Sequence, residues 1–356
     1  MTTFIPKFLK PYLLTVATVF ALPAFMLAAP GDDLLVHYQD VQAAPAESVH
    51  DHYHTGRADS HAPLPVMGDH THGANEWMLS YRYQYMEMDG LLNGDNEVDK
   101  ASGFMKTPKT MKMYMQMVGL MYAPTDRLTL MAMMMHHRKS MESLHNNGTW
   151  TRTKVDGFGD TTLGGLYKFY ETPKVRMHLN FGIGLPTGSI DETGGGTTRL
   201  GYPMQMGSGT YDLLPGITYL GQSANWSWGM QAKGTIRMDR NDHDYSLGDR
   251  FETQNWFARN WSDSFSTSIR FSNEIWGNVD GKDTGMMADT MMPTVREDMQ
   301  GGFRTELGLG MNFNFKSNLL QGHRLALEFV TPLYEDLDGY QMKRDWWVMI
   351  GWQKAF

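Results

Sequence analysis

None of the 356 residues is a cysteine, so neither a disulfide framework nor a thiolate site can be part of what this chain does. Long apolar runs are also missing: beyond one stretch from Pro11 to Pro30, nothing approaches the ~20 residues of a membrane-spanning helix. With 41% hydrophobic residues and a mean hydropathy of -0.42, a polytopic helical membrane protein is excluded. A net charge of -8 argues against nucleic acid as a partner. The motifs that would announce catalysis, Gly-x-Ser-x-Gly, His-Glu-x-x-His and a phosphate loop, are absent, and no enzyme activity is expected.

What is present begins with an export pattern. Lys7 and Lys10 precede the apolar run from Tyr12 to Leu22, and Ala28-Ala29 follow, the order of a secretory signal peptide over residues 1–29. An uncleaved anchor helix is the alternative. Residues 30–75 hold no sustained period, carry Pro30, Pro45, Pro63 and Pro65, and contain seven of the thirteen histidines. Such a segment is expected to be a flexible, His-rich periplasmic tail.

From Glu76 onward the period becomes two. Trp77, Leu79, Tyr81, Tyr83 and Tyr85 alternate with Ser80, Arg82 and Gln84, and Phe303, Thr305, Leu307, Leu309 and Met311 alternate with Arg304, Glu306, Gly308 and Gly310. Counting back from Phe356 in twos gives Lys354, Trp352, Ile350, Val348 and Trp346, a nearly apolar face. Twelve such segments stand out, roughly at 76–88, 109–123, 127–137, 158–170, 175–186, 209–220, 226–238, 249–258, 264–276, 302–315, 323–333 and 345–356. Tight links such as Ala123–Asp126, Glu171–Lys174 and Asn260–Asp263 alternate with long stretches near 89–108, 138–157, 187–208, 239–248 and 277–301. A soluble sandwich has no reason to keep that alternation. It predicts an all-β, transmembrane antiparallel β-barrel of about twelve strands over residues 76–356, with short periplasmic turns and long extracellular loops, in the bacterial outer membrane. Aromatics agree: Tyr122, Tyr170, Tyr219, Trp226, Trp261 and Phe356 fall beside the short turns, and Trp276, Phe303, Tyr334, Tyr340 and Trp346 beside the long loops.

The polar strand faces collect Arg82, Gln84, Lys168, His178, Lys233, Arg250, Glu252, Arg270, Glu274, Arg304, Glu306 and Glu328. A charge facing lipid at the midplane costs ~2–4 kcal/mol, so these residues are expected to line the lumen. They would form either a ladder of ion pairs filling the interior or the mixed-charge lining of a pore.

Methionine is abundant, at 30 residues. Met111, Met113, Met115 and Met117 recur in twos, and Met131, Met133, Met134 and Met135 precede His136-His137. Lys112 and Gln116 hold the opposite face of the first row, which leaves open whether its methionines meet lipid or lumen. Thioethers suit Cu(I), and imidazoles suit Cu(II) and Zn(II). The expected metal ligands are His50, His52, His54, His70 and His72 in the tail and Met204, Met206, Met286, Met287, Met291 and Met292 in the loops. No cofactor is required on this reading; Cu or Zn would be a bound ion. The alternative is that these residues are merely polar tail and gap-filling side chains.

Gly157-Phe158-Gly159-Asp160-Thr161-Thr162-Leu163-Gly164, followed by Leu179 to Ser189, resembles the outer-membrane family labelled "MetA-pathway of phenol degradation". Met121-Tyr122-Ala123-Pro124-Thr125-Asp126-Arg127-Leu128-Thr129-Leu130 and Met67-Gly68-Asp69-His70 are similar to its Met- and His-rich members. The likeness runs over about residues 67–356 and implies a barrel that takes up aromatic or other apolar compounds. This chain departs from it in its wealth of methionine and histidine. The expected function is a channel or transporter for small solutes, aromatic or apolar or linked to copper, and the alternative is a metal-binding barrel without an open pore. Outer-membrane lipid, a small solute and the barrel-assembly machinery are the expected partners.

Overall fold

The structure, a computed structural model, describes residues 56–356 apart from Asn318. Residues 1–29, expected to be a signal peptide, and His50, His52 and His54 lie outside the described residues. The strands, in chain order, are β1 (Trp77–Gly94), β2 (Asn96–Val98), β3 (Lys106–Thr125), β4 (Leu128–His145), β5 (Trp150–Phe158), β6 (Thr161–Glu171), β7 (Val175–Leu185) and β8 (Asp212–Leu213). They continue with β9 (Gly216–Gln222), β10 (Trp226–Arg237), β11 (Tyr245–Ser246), β12 (Arg250–Ser262), β13 (Phe265–Trp276), β14 (Asp280–Gly281), β15 (Gly302–Asn314) and β16 (His323–Ala355).

Antiparallel pairing runs β1, β3, β4, β6, β7, β9, β10, β12, β13, β15, β16 and returns from β16 to β1, which closes a barrel. The 33-residue β16 pairs with β15 between Arg324 and Leu337 and with β1 between Leu337 and Ala355. It therefore reverses near Gly339 (φ 75°), and eleven wall elements make twelve crossings. β5 extends the crossing of β6, and β8 that of β9.

Outward faces carry the apolar residues. Val118, Leu130, Phe181, Ile269, Leu309 and Ile350 are all exposed, while the alternate residues Ser80, Arg82, Ser268 and Arg270 are buried. An apolar surface encircling the molecule is stable only against hydrocarbon. Among the described residues no helix is long and apolar enough to cross a membrane; the strands do the crossing.

β3 has 20 residues. At ~3.3 Å per residue and ~40° of tilt it rises about 50 Å, twice the ~25 Å apolar band, so the strands project beyond the membrane at the loop end. Outward ion pairs such as Lys112–Glu87 (3.2 Å) and Arg138–Asp156 (2.5 Å) belong to this projection. Residues 138–157, expected as a loop, are largely a continuation of β4 and β5. Their register runs from His136↔Phe158 to Leu144↔Trp150. The outward face there is polar (Arg138, Glu142, Arg152, Asp156), so the ladder exists without the outward apolar stripe that marks a lipid-facing strand in sequence.

The expectation of a flexible tail over 30–75 is corrected for its described part. Residues 56–75 pack inside the barrel: Ala58, Asp59, Ala62, Leu64 and Val66 are buried to 2% exposure or less. Asn75, with φ at 66°, turns the chain from the interior into β1, and its N–H donates to Ala123 O at 2.7 Å. The segment has no period because its backbone is satisfied by wall side chains rather than by a ladder.

Candidate functional site in the barrel interior

Residues 56–75 form a plug whose carbonyls accept from inward-facing donors on many strands. Ser266 Oγ donates to Ala58 O (2.8 Å), Ser227 Oγ to Asp59 O (2.5 Å), Arg324 Nη2 to Ala62 O (3.0 Å) and Gln231 Nε2 to Met67 O (3.0 Å). Gly68 O is held by His178 Nε2 at 2.9 Å and Asn180 Nδ2 at 2.8 Å. Gly68 has φ at 64°, and a Cβ there would lie 2.9 Å from that Asn180 amide, so only glycine serves. Leu64 sits against Gly351 and packs with Trp347 and Met349 on the inner face of β16.

The wall around the plug is divided chemically. One arc, from β12 to β16, is a rack of charges. Arg270 Nε meets Glu328 Oε1 at 2.7 Å with both side chains essentially fully buried, and Arg270 Nη1 donates to Gln254 at 2.7 Å. Arg304 joins Glu335 (2.6 Å) and Glu274 (3.5 Å), and Arg344 and the Trp347 indole both donate to Glu306. Among the other residues assigned to the lumen from sequence, Arg82, Gln84 and His178 are buried on inner faces, and Lys168, Lys233, Glu252 and Glu274 are half-buried. Lys233 pairs with Glu252 at 3.6 Å and Lys168 with Glu171 at 2.5 Å. Arg250 differs: it is exposed at the loop end, joined to Glu274 at 2.6 Å.

The adjoining arc, β1, β3 and β4, is methionine. Met111 and Met117 are buried while Lys112 and Gln116 on the other face are exposed, so the row points inward. Registers place Met88↔Met111↔Met141, Met117↔Met135 and Met78↔Met121↔Met131 side by side across strands. At the loop end, Met111 and Met141 join buried Met204, Met206 and Met292, with Met287, Met291 and Met342 packed on them. Five of the six loop methionines singled out from sequence thus converge there. Met286 is also buried but sits with Tyr202, Tyr245, Val279 and Val295, and Met287 touches both groups. Lys139, buried among them, donates to Pro203 O (2.9 Å) and Gln205 O (2.6 Å) and ties the 201–206 loop over the strands. Towards the turn end, a small cleft of about 10 Å³, room for about one water, lies between plug and wall, lined by Met67, Asp69, Arg82, Met121, Met131 and Met133 among others.

Histidines gather on the plug. His70 and His72 are both buried, His61 is half-buried, and their rings are in edge contact, 4.3 Å from His61 to His70 and 4.8 Å from His70 to His72. His70 Nδ1 donates to Asp69 Oδ1 at 2.8 Å, and Ala62 N–H donates to Asp69 Oδ2 at 2.9 Å. Burial pushes the Asp69 carboxyl up, but His70, His61 and Arg324 together hold it well below the usual carboxylate range. Burial, with His70 and Arg324, drives His61 well below an ordinary imidazole, and burial takes His72 down to about 3.

Residues 138–323, just over half of the chain, match the family described as putative MetA-pathway of phenol degradation. The chain belongs to that family. Among curated proteins none matches. Among solved structures, this MetA-pathway family member is similar to the COG4313 outer membrane channel from Pseudomonas putida F1, at 14% identity and a TM-score of 0.59, over 82% of this chain and all of that one. The transport unit of the autotransporter AIDA-I from Escherichia coli aligns at 10% identity and a TM-score of 0.47, over 84% of this chain and 95% of its own. A Pseudomonas aeruginosa FadL homologue aligns at 10% identity and a TM-score of 0.40, over 79% and 90%. At these identities the likeness with the channel concerns the fold.

Several interior residues of this family member escape a reading of the sequence. Arg324 is in phase with Glu328 and could have been found by extending that face two residues at a time. Arg344 could not: the register of β1 with β16 slips between Glu87↔Trp346 and Met88↔Arg344, and the bulge turns Arg344 to the inner face. His61 lies in the aperiodic plug, where spacing carries no signal.

Proposed function

We propose that this MetA-pathway family member is an outer-membrane channel for small solutes of low polarity, aromatic or apolar, closed by its own residues 56–75, with the methionine arc as the route. The observation that carries the reading is continuity. Met88 and Met113 pack against both the loop-end cluster and the cluster that holds Leu64 and Met67 of the plug, so one thioether surface runs from the loops to the plug. Thioethers are polarisable and conform to varied apolar shapes, which suits loose passage better than tight recognition. The adjoining charge rack supports the reading as the stiff part of the wall, its groups paired among themselves. A channel of the same fold is known from Pseudomonas putida F1.

The test is uptake of the hydrophobic fluorophore N-phenyl-1-naphthylamine by cells carrying the protein, with correct folding read from heat-modifiable gel mobility. Cells with the parent protein should take up the probe faster than cells without it. Met113→Glu with Met115→Glu should abolish the gain, and deletion of residues 56–72 should increase it and raise ion conductance in planar bilayers. Equal uptake in all four strains would overturn the channel reading. A second reading, copper binding without an open pore, is favoured by the convergence of Met204, Met206, Met287, Met291 and Met292 on Met111 and Met141, since clustered thioethers are Cu(I) ligands. Zero conductance in the deletion variant together with Cu(I) retention would select it.

A further inference from the structure

We propose that His61, Asp69 and His70 form a site for a divalent transition-metal ion, Zn(II) or Cu(II), on the plug inside the barrel. The proposal goes beyond the channel reading, because it needs an ordered plug but not a conducting pore.

One ligand atom from each of the three residues lies within 4.8 Å of both the others. Around a tetrahedral ion with metal–nitrogen bonds near 2.1 Å, such atoms sit about 3.4 Å apart. Closing that gap takes side-chain rotations, because the backbone is already folded for it. Pro63 and Pro65 interrupt the chain between His61 and Asp69, the Val66 N–H turns back to Pro63 O at 3.0 Å, and Ala62 N–H bonds the Asp69 carboxylate at 2.9 Å. The two limbs of the loop are thus held side by side before any ion arrives.

The donors are also unspent. His61 Nδ1 and His70 Nε2 are buried atoms with no hydrogen-bond partner, and His70 is only 8% exposed. A buried ring nitrogen without a partner carries an unmet desolvation cost, and an ion that accepts its lone pair removes that cost. His72 Nε2 is likewise buried and unpartnered, and its ring lies 4.8 Å from that of His70, so it stands as the fourth donor. Two or three imidazoles and a carboxylate make a borderline set that suits Zn(II) and Cu(II) rather than Mg(II) or Ca(II). Arg324 and Arg82 act on Asp69 from nearby and reduce the net attraction for a dication. Affinity is therefore expected to be weaker than that of structural zinc sites.

The experiment uses the full-length protein in detergent, stripped with a chelator. Cu(II) is titrated and followed by electron paramagnetic resonance, and Zn(II) by calorimetry. Three variants accompany the parent: His61→Gln with His70→Gln, Asp69→Asn, and a control with His50, His52 and His54 all changed to Gln. The parent should show a one-equivalent site with nitrogen hyperfine structure from at least two imidazoles. The double variant should lose it, Asp69→Asn should weaken it at least tenfold, and the control should keep it. Asp69→Asn preserves shape and an acceptor for Ala62, so a failure of the double variant to fold leaves this arm decisive. Parent and Asp69→Asn proteins binding alike, or a site lost only in the control, would overturn the proposal.

Discussion

Replacing Arg270 by leucine should destabilise the barrel more than any change on its lipid face. Arg270 and Glu328 have side chains 1% and 0% exposed, and the guanidinium supplies Glu328 Oε1 with its 2.7 Å bond. Glu328 Oε2 has no other partner, so nothing else in the interior compensates the carboxylate. Removing one member of a buried pair costs about 3–5 kcal/mol, because the surviving charge is stranded. Gln254 Oε1, which accepts from Arg270 Nη1 at 2.7 Å, loses its donor as well, a further 1–3 kcal/mol or so if it cannot turn to another partner. With a urea slope of about 3 kcal/mol/M, the unfolding midpoint in lipid vesicles, read from tryptophan fluorescence, should fall by about 1–3 M. The double variant Arg270→Leu with Glu328→Leu removes both charges and should recover at least half of that loss. A single variant within 1 kcal/mol or so of the parent, or a double variant no better than the single, would refute the claim that the rack holds buried, mutually dependent pairs rather than exchangeable surface pairs.

Gly351→Val places a side chain where Leu64 Cδ1 would be 2.6 Å from its Cβ, so the plug should be pushed inward at an overpacking cost of about 1–3 kcal/mol, read as faster proteolysis within residues 56–70. Lys139→Met leaves Pro203 O and Gln205 O without their buried donor, and amide exchange at Met204 and Met206 should quicken at least tenfold while that in β13 stays unchanged. Glu306→Gln removes one negative charge from the inner face beside Arg344 and Trp347, and in the plug-deleted barrel the reversal potential in a salt gradient should move towards anion selectivity.

The barrel was written in the sequence because a period of two is a direct image of a strand with lipid on one side. Tyr81 and Arg82, or Leu307 and Glu306, cannot exchange faces without putting charge in hydrocarbon, so the alternation specifies which residues point inward. Where that asymmetry fades, so did the reading: β4 and β5 run on through Arg138–Glu142 and Arg152–Asp156, outside the apolar band, where water tolerates either face.

Neither the direction of the methionine rows nor the place of residues 56–75 could be read from pattern. Methionine is at home in lipid and in a core alike, so Met111 to Met117 alternating with Lys112 and Gln116 is ambiguous in sequence; the burial of Met111 and Met117 beside exposed Lys112 and Gln116 puts the row inside. The plug is a sharper case. Its proline-broken, histidine-rich composition is that of a free segment, and it carries no period because its carbonyls are met one at a time by Ser227, Gln231, Ser266 and Arg324, residues 160 or more positions away. Sequence alone determined the wall, since a strand's faces are decided by its own neighbours. Only the closed barrel could decide what fills it, because the partners of His61, Asp69 and His70 come together through a loop and a lumen that exist only once the wall has formed.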